Sequence, residues 1–498
     1  MEDITKLRHG SDILGIATDG VPGEDVDLTE EYAGRIGGAF AYWLGFKVKK
    51  NPYDLHICIG NDPRTSADEL KAGISKGITM FGGAPYDAGI ATTPAMFMST
   101  ILPHFDFDGA IMITASHLPY NRNGFKFFTK EGSVGKEDVA EILRLASRYI
   151  FVGDYYEERP VNLMPMYAAY MRQMISLGLK DVPGVLTGMH IIVDAGNGSA
   201  GFFAKEVLEK MGADISGSLF LEPDGKFPNH QPDPYSKEAL AAITKAVVDN
   251  KADLGIAFDG DGDRVALIGP DGKLIAKDEL IAIAAALAAE DYPGGTVVTD
   301  GATSTELHDF LENDLGLKHF RYKRCYRNVI SKAKELCEAG ENAFLAVETS
   351  GHAAFSDNYF LDDGAFLAVQ VIINAARLKA EGKDITALIE GLGRPAESWE
   401  IRFRLNSENC DELGTTILED MKTWAQETDG LGLEEPEYEG VRVNFDIDGS
   451  KGWFLMRMAM HDAALPLCIK SSEKGGIRKV LPLIGAFLNQ YEGIEMPE

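Results

Sequence analysis

Three aspartates at alternate positions form the densest cluster of chemical groups in the sequence. Asp259, Asp261 and Asp263 lie in the segment DLGIAFDGDGDRVALIG, where glycines separate them and an apolar run stands on each side. Glycine lets the backbone fold tightly, so the three carboxylates can converge on one hard cation, most naturally Mg²⁺. Arg264 follows directly and offers a planar fork for phosphate. The pattern predicts metal-assisted chemistry on a phosphate group.

Two other structures contain acidic segments of this kind, the EF-hand loop and the acidic hairpin. An EF-hand loop starting at Asp259 needs glycine at its sixth position and glutamate at its twelfth, but Arg264 and Pro270 stand there. The segment is therefore not an EF-hand. A plain acidic hairpin is the remaining alternative, because Asp-Gly pairs are common in hairpin turns. Three aspartates between two apolar strands favour the metal site.

A serine loop is the second candidate for chemistry. The segment GAIMITASHLPYNRNGFKFF places an apolar strand before Ser116 and His117, and a polar turn then leads to Lys126 on a second strand-like run. A loop serine is usually a solvated turn residue, and neither GxSxG nor SxxK is present to indicate an acyl-enzyme. His117 and Lys126 can move a proton or supply a cation near a hydroxyl. Equally, His117 could stabilise the turn and Lys126 could be an exposed strand residue.

The elements that carry these groups follow an α/β pattern. Short β-type runs such as DLHICIG, GAIMIT, HIIVDAG, DLGIAFD, GTVVTDG and AFLAVE recur along the chain and often precede a helical pattern. Ligands in such folds bind at the carboxyl ends of the strands. Beyond residue 391 the pattern changes to alternating runs around one helical stretch at 411–428. That change predicts an antiparallel sheet with helices.

The two loops together resemble those of a known enzyme family. TASHLPYNRNGFK at 114–126 and DGDGDR at 259–264 are similar to motifs of the α-D-phosphohexomutases, the phosphoglucomutase and phosphomannomutase superfamily. Two further segments occur in the family's order, PDGKFPNHQPDPY at 223–235 and VETSGH at 347–352. The second of these is similar to the family's sugar-binding loop. The resemblance extends over nearly the whole chain.

This resemblance implies three similar mixed α/β domains and a mobile C-terminal α+β lid, with the active site in the cleft between them. Breaks rich in proline and glycine place the domains at 1–157, 158–270, 271–391 and 392–498. Functional roles follow for the residues that match. These are Ser116 as phosphoserine and metal contact, Asp259, Asp261 and Asp263 as Mg²⁺ ligands, Arg264 as a phosphate contact, His117 and Lys126 as the acid/base neighbourhood, and Lys323, Glu348, Ser350, His352 and Arg457 as substrate-binding groups.

The implied reaction is phosphoryl transfer. It needs in-line positioning and charge neutralisation, which Mg²⁺ and an arginine supply. A hydroxyl of a hexose phosphate would take the phosphate from Ser116 to give a hexose bisphosphate. The serine would regain phosphate from a hexose 1,6-bisphosphate or another bisphosphate. The expected partners are small sugar phosphates, and the expected assembly is a monomer or a small homo-oligomer.

The sequence departs from the family pattern where the family grips phosphate. The family's lid loop is of RPSGTEP type, but 457–463 reads RMAMHDA, which keeps Arg457 and loses the hydroxyls and the glycine. Leu14 stands where an arginine is common, and Cys325 and Tyr326 replace a more usual glycine and histidine. Nearby cations could compensate for these changes. They are Lys323, Arg324, Arg327, Lys470 and Lys474.

An altered clamp bears on the type of reaction. A mutase must hold its bisphosphate intermediate while the intermediate turns around, and a weaker grip lets it escape. The sequence therefore favours a glucose 1,6-bisphosphate synthase. The alternatives are a phosphoglucomutase or phosphomannomutase that interconverts hexose 1- and 6-phosphates, and a protein that binds sugar phosphate without turnover. Glucose and mannose phosphates differ at one hydroxyl, which the sequence does not resolve.

The charge of the chain excludes other classes of function. Lys and Arg number 48 against 77 Asp and Glu, a formal net charge of −29, and such a field repels nucleic acid and anionic membranes. An anionic substrate then requires local cations or a metal. The five cysteines are scattered without metal-binding spacing and indicate reduced thiols. The first residues contain no apolar signal segment, so we expect a cytoplasmic protein.

Overall fold

A computed structural model describes residues 3–148, 153–157, 159–180, 185–275, 277–459 and 462–496. Contact density divides the chain into two units. Unit 1 comprises Met1–Ile275, His352–Ala354 and Leu361–Ala387. Unit 2 comprises Ala276–Gly351, Phe355–Phe360 and Leu388–Glu498. The four domain boundaries expected from the sequence stay a prediction, because this division separates two units.

The first part of unit 1 is a mixed sheet with helices. Its elements are β1 (Arg8–His9), β2 (Asp12–Ile16), α1 (Glu30–Val48), β3 (His56–Asn61), α2 (Ala67–Met80), β4 (Ala84–Ile90), α3 (Thr93–Met98), β5 (Gly109–Ile113), β6 (Arg122–Thr129), β7 (Gly132–Ser133) and α4 (Lys136–Ala146). The strand order is β1-β2-β6-β5-β3-β4, with β7 beside β6. Strand β3 runs parallel to β4 and β5, whereas β5, β6 and β2 pair antiparallel.

Glycines let helices α1 and α2 pack closely in this part of the molecule. A Cβ atom on Gly77 of α2 would lie 2.0 Å from the carbonyl oxygen of Gly34 in α1, which no side chain tolerates. The close contact buries α1 against the sheet, where Phe40 stacks on Phe127 with ring centroids 4.9 Å apart. A rigid core therefore lies beneath the loop that connects β5 to β6.

The second part of unit 1 has the same type of construction. Its elements are α5 (Leu163–Gly178), β8 (Ile191–Asp194), α6 (Lys237–Asn250), β9 (Leu254–Phe258), β10 (Val265–Ile268) and β11 (Leu274–Ile275). The sheet order is β11-β10-β9-β8. Strands β8 and β9 are parallel, and β9 and β10 form an antiparallel hairpin whose connection contains the three aspartates.

The chain then enters unit 2 with a third sheet. The elements are α7 (Asp278–Ala288), β12 (Thr296–Asp300), α8 (Thr305–Asp309), β13 (Lys318–Tyr322), α9 (Tyr326–Glu338) and β14 (Ala343–Val347). Strand β12 lies between β13 and β14 and is parallel to both. The short strands β15 (Ala353–Phe355) and β16 (Leu361–Asp362) precede α10 (Gly364–Ala380). Helix α10 belongs to unit 1, where it contacts α5 and where the Tyr167 hydroxyl donates to Asp363 at 2.7 Å.

The C-terminal part of unit 2 is an α+β fold, as the alternating pattern predicts. Its elements are β17 (Glu397–Leu405), α11 (Cys410–Glu427), β18 (Leu431–Leu433), β19 (Gly440–Ile447), β20 (Ser450–Arg457), β21 (Ala464–Ser471), α12 (Ile477–Leu488) and β22 (Ile494–Glu495). The antiparallel strand order is β18-β19-β20-β21-β17-β22. No helix in the described ranges is long and apolar enough to cross a membrane.

A buried arginine ties this C-terminal sheet to the rest of unit 2. Arg442 on β19 donates to the carbonyl oxygens of Gly301 and Thr303 at 3.0 Å each, directly after β12. Its guanidinium stacks 3.7 Å from the ring centroid of Trp453 and pairs with Glu434 at 2.9 Å. The segment expected to be a separate lid therefore shares a compact unit with 277–351.

Candidate active site

The aspartate loop connects two buried strands of unit 1. Strand β9 ends at Phe258 and β10 begins at Val265, which face each other in the antiparallel register. Asp259, Asp261 and Asp263 between them are all buried, and one carboxylate oxygen from each lies within 4.8 Å of the others. Such a cluster is stable only if cations neutralise it.

Two side chains supply part of that neutralisation. The Lys126 ammonium donates to Asp261 at 2.8 Å and to Asp263 at 2.6 Å, and Arg264 Nε donates to Asp259 at 3.0 Å. The Oδ1 atoms of Asp261 and Asp263 remain buried without a hydrogen-bond partner among the described residues. Orphaned carboxylate oxygens are suitable ligands for a hard divalent cation, so the residues present fit a Mg²⁺ ion.

Electrostatic coupling within the cluster gives the carboxylates different proton affinities. Burial raises the pKa of Asp259 well above its ordinary value, and the charges of Asp263 and Asp261 raise it further. Burial also acts on Asp263, but Lys126, His352 and Arg264 outweigh it and lower the pKa of Asp263. Without a cation, Asp259 therefore holds a proton more readily than Asp263 does.

Ser116 lies beside these carboxylates on the loop after β5. Its hydroxyl donates to Asp259 Oδ2 at 2.8 Å, and Arg264 Nη2 donates to the same hydroxyl oxygen at 3.0 Å. The serine has φ +51°, a left-handed backbone conformation that is uncommon for a residue with a side chain. A hydrogen bond of 2.8 Å from Ser116 N–H to the Thr114 hydroxyl accompanies this conformation.

A fully buried arginine holds the serine loop in place, and it was not among the residues predicted from the sequence. Arg64 donates to the carbonyl oxygens of Ser116 and Leu118 at 2.8 Å each and to that of Arg122 at 2.9 Å. Asp62 fixes the guanidinium through a 2.9 Å ion pair. The available signal was the polar segment NDPR directly after the apolar strand β3, at the strand end where ligands gather.

The neighbouring histidine is uncharged at neutral pH. His117 Nδ1 lies 3.4 Å from the Ser116 hydroxyl oxygen. Burial lowers the pKa of His117 to about 4, and the positive charge of Arg264 contributes in the same direction. The segment 223–235 reaches this loop as well, because Gln231 Nε2 donates to the His117 carbonyl at 2.9 Å. A neutral imidazole beside the serine can accept a proton.

His352 belongs to the aspartate cluster in unit 1. Its Nδ1 atom hydrogen-bonds Asp362, and the ligand atoms of Asp263, His352 and Asp362 lie within 4.8 Å of one another. Burial opposes a charge on this imidazole, but Asp362 outweighs it and the pKa of His352 is raised. Asp362 was not among the residues predicted from the sequence, since an aspartate ten residues after His352 carries no recognisable spacing signal.

The predicted sugar-binding loop lines a cavity of about 320 Å³ in unit 2. Glu348 follows β14 and is buried, and its carboxylate accepts hydrogen bonds from Ser350 Oγ at 2.9 Å and from the Cys325 N–H at 2.7 Å. Asp300 at the end of β12 accepts the Thr349 N–H at 2.7 Å, which fixes the loop. The cavity also contains Lys277, Ala302, Arg324, Ser398, Glu400, Cys468 and Lys470.

The predicted phosphate-binding cations differ in their exposure and in their contacts. Lys323 is exposed and is absent from the cavity lining, whereas its neighbour Arg324 contributes to it. Arg457 at the end of β20 lies 3.4 Å from Glu439 and donates to the Met458 carbonyl at 3.1 Å. In the rewritten lid loop, Met460 and His461 lie outside the described residues. Among the other possible compensating cations, Lys470 is buried in the cavity wall and Lys474 is exposed.

Comparison with known proteins agrees with the fold. Residues 14–151, 168–272 and 276–394 match the families described as phosphoglucomutase/phosphomannomutase, alpha/beta/alpha domains I, II and III. A phosphomannomutase/phosphoglucomutase of Pseudomonas syringae is 27% identical over 454 residues, covering 90% of this chain and 91% of the relative. A phosphoglucosamine mutase of Caldicellulosiruptor saccharolyticus is 30% identical over 388 residues, covering 74% of this chain and 80% of the relative.

Solved structures show the same architecture. The crystal structure of a phosphoglucomutase/phosphomannomutase family protein from Burkholderia thailandensis superposes with a TM-score of 0.78 at 25% identity, covering 98% of each chain. The likeness extends through the C-terminal sheet as well as the three α/β domains. The chain is therefore an enzyme of the α-D-phosphohexomutase superfamily.

Proposed function

We propose that the enzyme interconverts the 1- and 6-phosphates of a hexose through a phosphate carried on Ser116. The observation that carries this proposal is the position of the Ser116 hydroxyl, 2.8 Å from Asp259 and 3.0 Å from the Arg264 guanidinium. A nucleophilic oxygen, a carboxylate cluster that fits a cation and a phosphate-binding fork meet at one point. This combination suits phosphoryl transfer. The mutase relatives support this activity rather than the bisphosphate synthase favoured from the sequence.

Each residue has a defined task in this reaction. The fork of Arg264 would bind oxygens of the phosphate on Ser116, and Mg²⁺ held by the three aspartates would neutralise charge that develops on that phosphate. A sugar hydroxyl forms a bond to phosphorus while the bond from phosphorus to Ser116 Oγ breaks. The hydroxyl proton would pass to the neutral imidazole of His117, and the reverse transfer returns it. Lys126 is held in ion pairs with Asp261 and Asp263, so we assign it to charge balance.

The sugar would bind through Glu348 and Ser350. A carboxylate can accept hydrogen bonds from two adjacent sugar hydroxyls, and the 320 Å³ cavity around Glu348 is of a size suited to a small ligand. A sugar-phosphate substrate and magnesium are supported by a relative of the same fold, the N-acetylphosphoglucosamine mutase of Aspergillus fumigatus, whose structure contains GlcNAc-6P and magnesium. The relatives from Pseudomonas syringae and Caldicellulosiruptor saccharolyticus are named for different hexoses, so we assign the substrate class as hexose phosphate.

Phosphorus NMR of the reaction mixture tests the mutase. Purified enzyme with Mg²⁺, glucose 1-phosphate and a catalytic amount of glucose 1,6-bisphosphate should give glucose 6-phosphate, with the bisphosphate concentration unchanged. The same experiment is repeated with mannose and glucosamine phosphates. The Ser116→Ala variant should give no product. The matched control Ser133→Ala, at an exposed serine, should give product as the wild type does. Absence of interconversion with every hexose phosphate would contradict the proposal.

A second candidate is a hexose 1,6-bisphosphate synthase. Two features favour it: the 457–463 segment has lost its hydroxyls, and Arg457 lies against Glu439 at 3.4 Å. A clamp of this kind would release the bisphosphate more readily. In the same NMR experiment, supplied with an excess of a phosphate donor, steady accumulation of bisphosphate from glucose 6-phosphate would support this candidate.

A further inference from the structure

We infer that Arg324 binds the phosphate group that is not being transferred, and that it is the main anion-binding side chain of the cavity containing Glu348 and Ser350. The inference rests on the proposed function and deepens it, because it names the side chain that selects a phosphorylated sugar. Arg324 was one of several cations near the altered clamp, and its position in the cavity distinguishes it from the others.

Three cations line the cavity, and two of them are already paired. Lys277 lies 3.4 Å from Glu400, and the Lys470 ammonium donates to Asp278 at 2.9 Å. The Arg324 guanidinium makes no hydrogen bond and no ion pair within 4.0 Å to any residue that the structure describes. A positive charge without a partner in a concave site is available to an anionic ligand.

Arg324 and a second arginine, Arg457, both lie next to the carboxylate of Glu439. Its backbone N–H donates to Glu439 Oε2 at 3.1 Å, and the other oxygen of Glu439 lies 3.4 Å from Arg457 Nε. Burial lowers the pKa of Arg457, and the charge of Arg324 lowers it further. The two guanidiniums therefore repel each other, with one carboxylate between them. A phosphate dianion would relieve that repulsion.

The backbone also places Arg324 close in sequence to a contact with Glu348, the predicted sugar-binding carboxylate. Cys325 follows Arg324 and donates its N–H to Glu348 at 2.7 Å. Arg324 is therefore the neighbour in sequence of the residue whose N–H contacts Glu348, the predicted sugar-binding carboxylate. Lys323 on the other side is exposed and outside the cavity lining. The planar fork of arginine also suits phosphate better than the point charge of lysine.

Calorimetric titration of the full-length protein with glucose 6-phosphate and with glucose tests the inference. In Arg324→Ala, the dissociation constant for glucose 6-phosphate should rise at least about tenfold, which is about 1.4 kcal/mol, while binding of glucose stays within about twofold. The exposed Lys318→Ala removes the same charge nearby and, as the matched control, should change glucose 6-phosphate affinity less than about twofold. Lys323→Ala tests the adjacent cation that the sequence predicted to bind substrate. Arg324→Gln is a second variant that removes the charge. Thermal unfolding of each variant shows whether a loss of affinity reflects a folding defect.

A double-mutant cycle adds a sharper measurement. Arg324→Ala and Arg457→Ala should be non-additive for glucose 6-phosphate binding if one phosphate contacts both side chains. Affinity that is unchanged in folded Arg324→Ala and Arg324→Gln, or lost in Lys323→Ala instead, overturns the inference while interconversion by the wild type still stands. Conversely, wild-type protein that binds glucose 6-phosphate through Arg324 but never interconverts it overturns the mutase and leaves the inference intact.

Discussion

The Ser116 hydroxyl donates a 2.8 Å hydrogen bond to Asp259, a residue 143 positions further along the chain. The same hydroxyl oxygen accepts a hydrogen bond from Arg264 Nη2. The serine loop and the aspartate loop, which are separate motifs in the sequence, thus form one site in unit 1.

The first prediction concerns the phosphate carrier. Because the Ser116 hydroxyl contacts both Asp259 and the Arg264 guanidinium, we expect a fraction of purified protein to be heavier by one phosphate. The Ser116→Ala variant should lack that fraction and lose at least about a thousandfold in kcat, as expected when a nucleophile is removed. Intact-mass spectrometry and initial rates measure both effects. A phosphorylated fraction that persists in Ser116→Ala would place the carrier elsewhere.

The second prediction concerns the cation. Asp261 and Asp263 each have a buried oxygen without a hydrogen-bond partner among the described residues, so Mg²⁺ should bind the folded state and raise its melting temperature. A Mg²⁺ concentration of one hundred times its Kd should raise the free energy of unfolding by about 2.7 kcal/mol. Asp263→Asn should lose this stabilisation, whereas Asp271→Asn on the solvent-exposed β10–β11 turn should keep it. Scanning fluorimetry in chelator and in Mg²⁺ makes the comparison. An equal Mg²⁺ response in both variants would refute the site.

The third prediction concerns pH. His117 has an ordinary pKa of 6.5, which burial and then Arg264 lower to about 4 in the folded protein. Between these values the unfolded chain binds more protons at this residue, so its contribution to stability rises with pH and is constant above about 6.5. The difference in unfolding free energy between wild type and His117→Gln should shrink on acidification through this window. Urea titrations at several pH values measure it, and a difference independent of pH would disprove the shift.

The fourth prediction concerns backbone strain beside Glu348, the predicted sugar-binding carboxylate. Cys325 has φ +98° and ψ +120°, a conformation that favours glycine. We expect Cys325→Gly to raise the free energy of unfolding by about 1 kcal/mol, because relief of strain exceeds the entropy that glycine adds to the unfolded chain. The Cys325→Ala variant keeps a Cβ atom and should show no gain. Chemical denaturation distinguishes the two, and equal stability of both variants would argue against strain.

The sequence by itself determined the features that depend on short spacing. Apolar runs predicted the strands that became β5, β9 and β14, and the helical stretch at 411–428 corresponds to α11 at Cys410–Glu427. The alternation of aspartate and glycine was sufficient to predict a carboxylate cluster, because its members are separated by single residues. The α/β fold with a C-terminal α+β domain is confirmed, and local periodicity carried that information.

Tertiary structure decided what depends on residues distant in the chain or on the direction of one side chain. Arg64 secures the Ser116 loop across more than fifty positions; its segment NDPR indicates a strand end, but not which loop the arginine contacts. Near the sugar loop, Arg324 and Lys323 are adjacent cations that charge alone does not distinguish. The positive φ of Cys325 accompanies a turn there, and the folded backbone exposes Lys323 while it places Arg324 in the cavity. The direction of a side chain follows from backbone dihedrals and packing, which residue types do not specify.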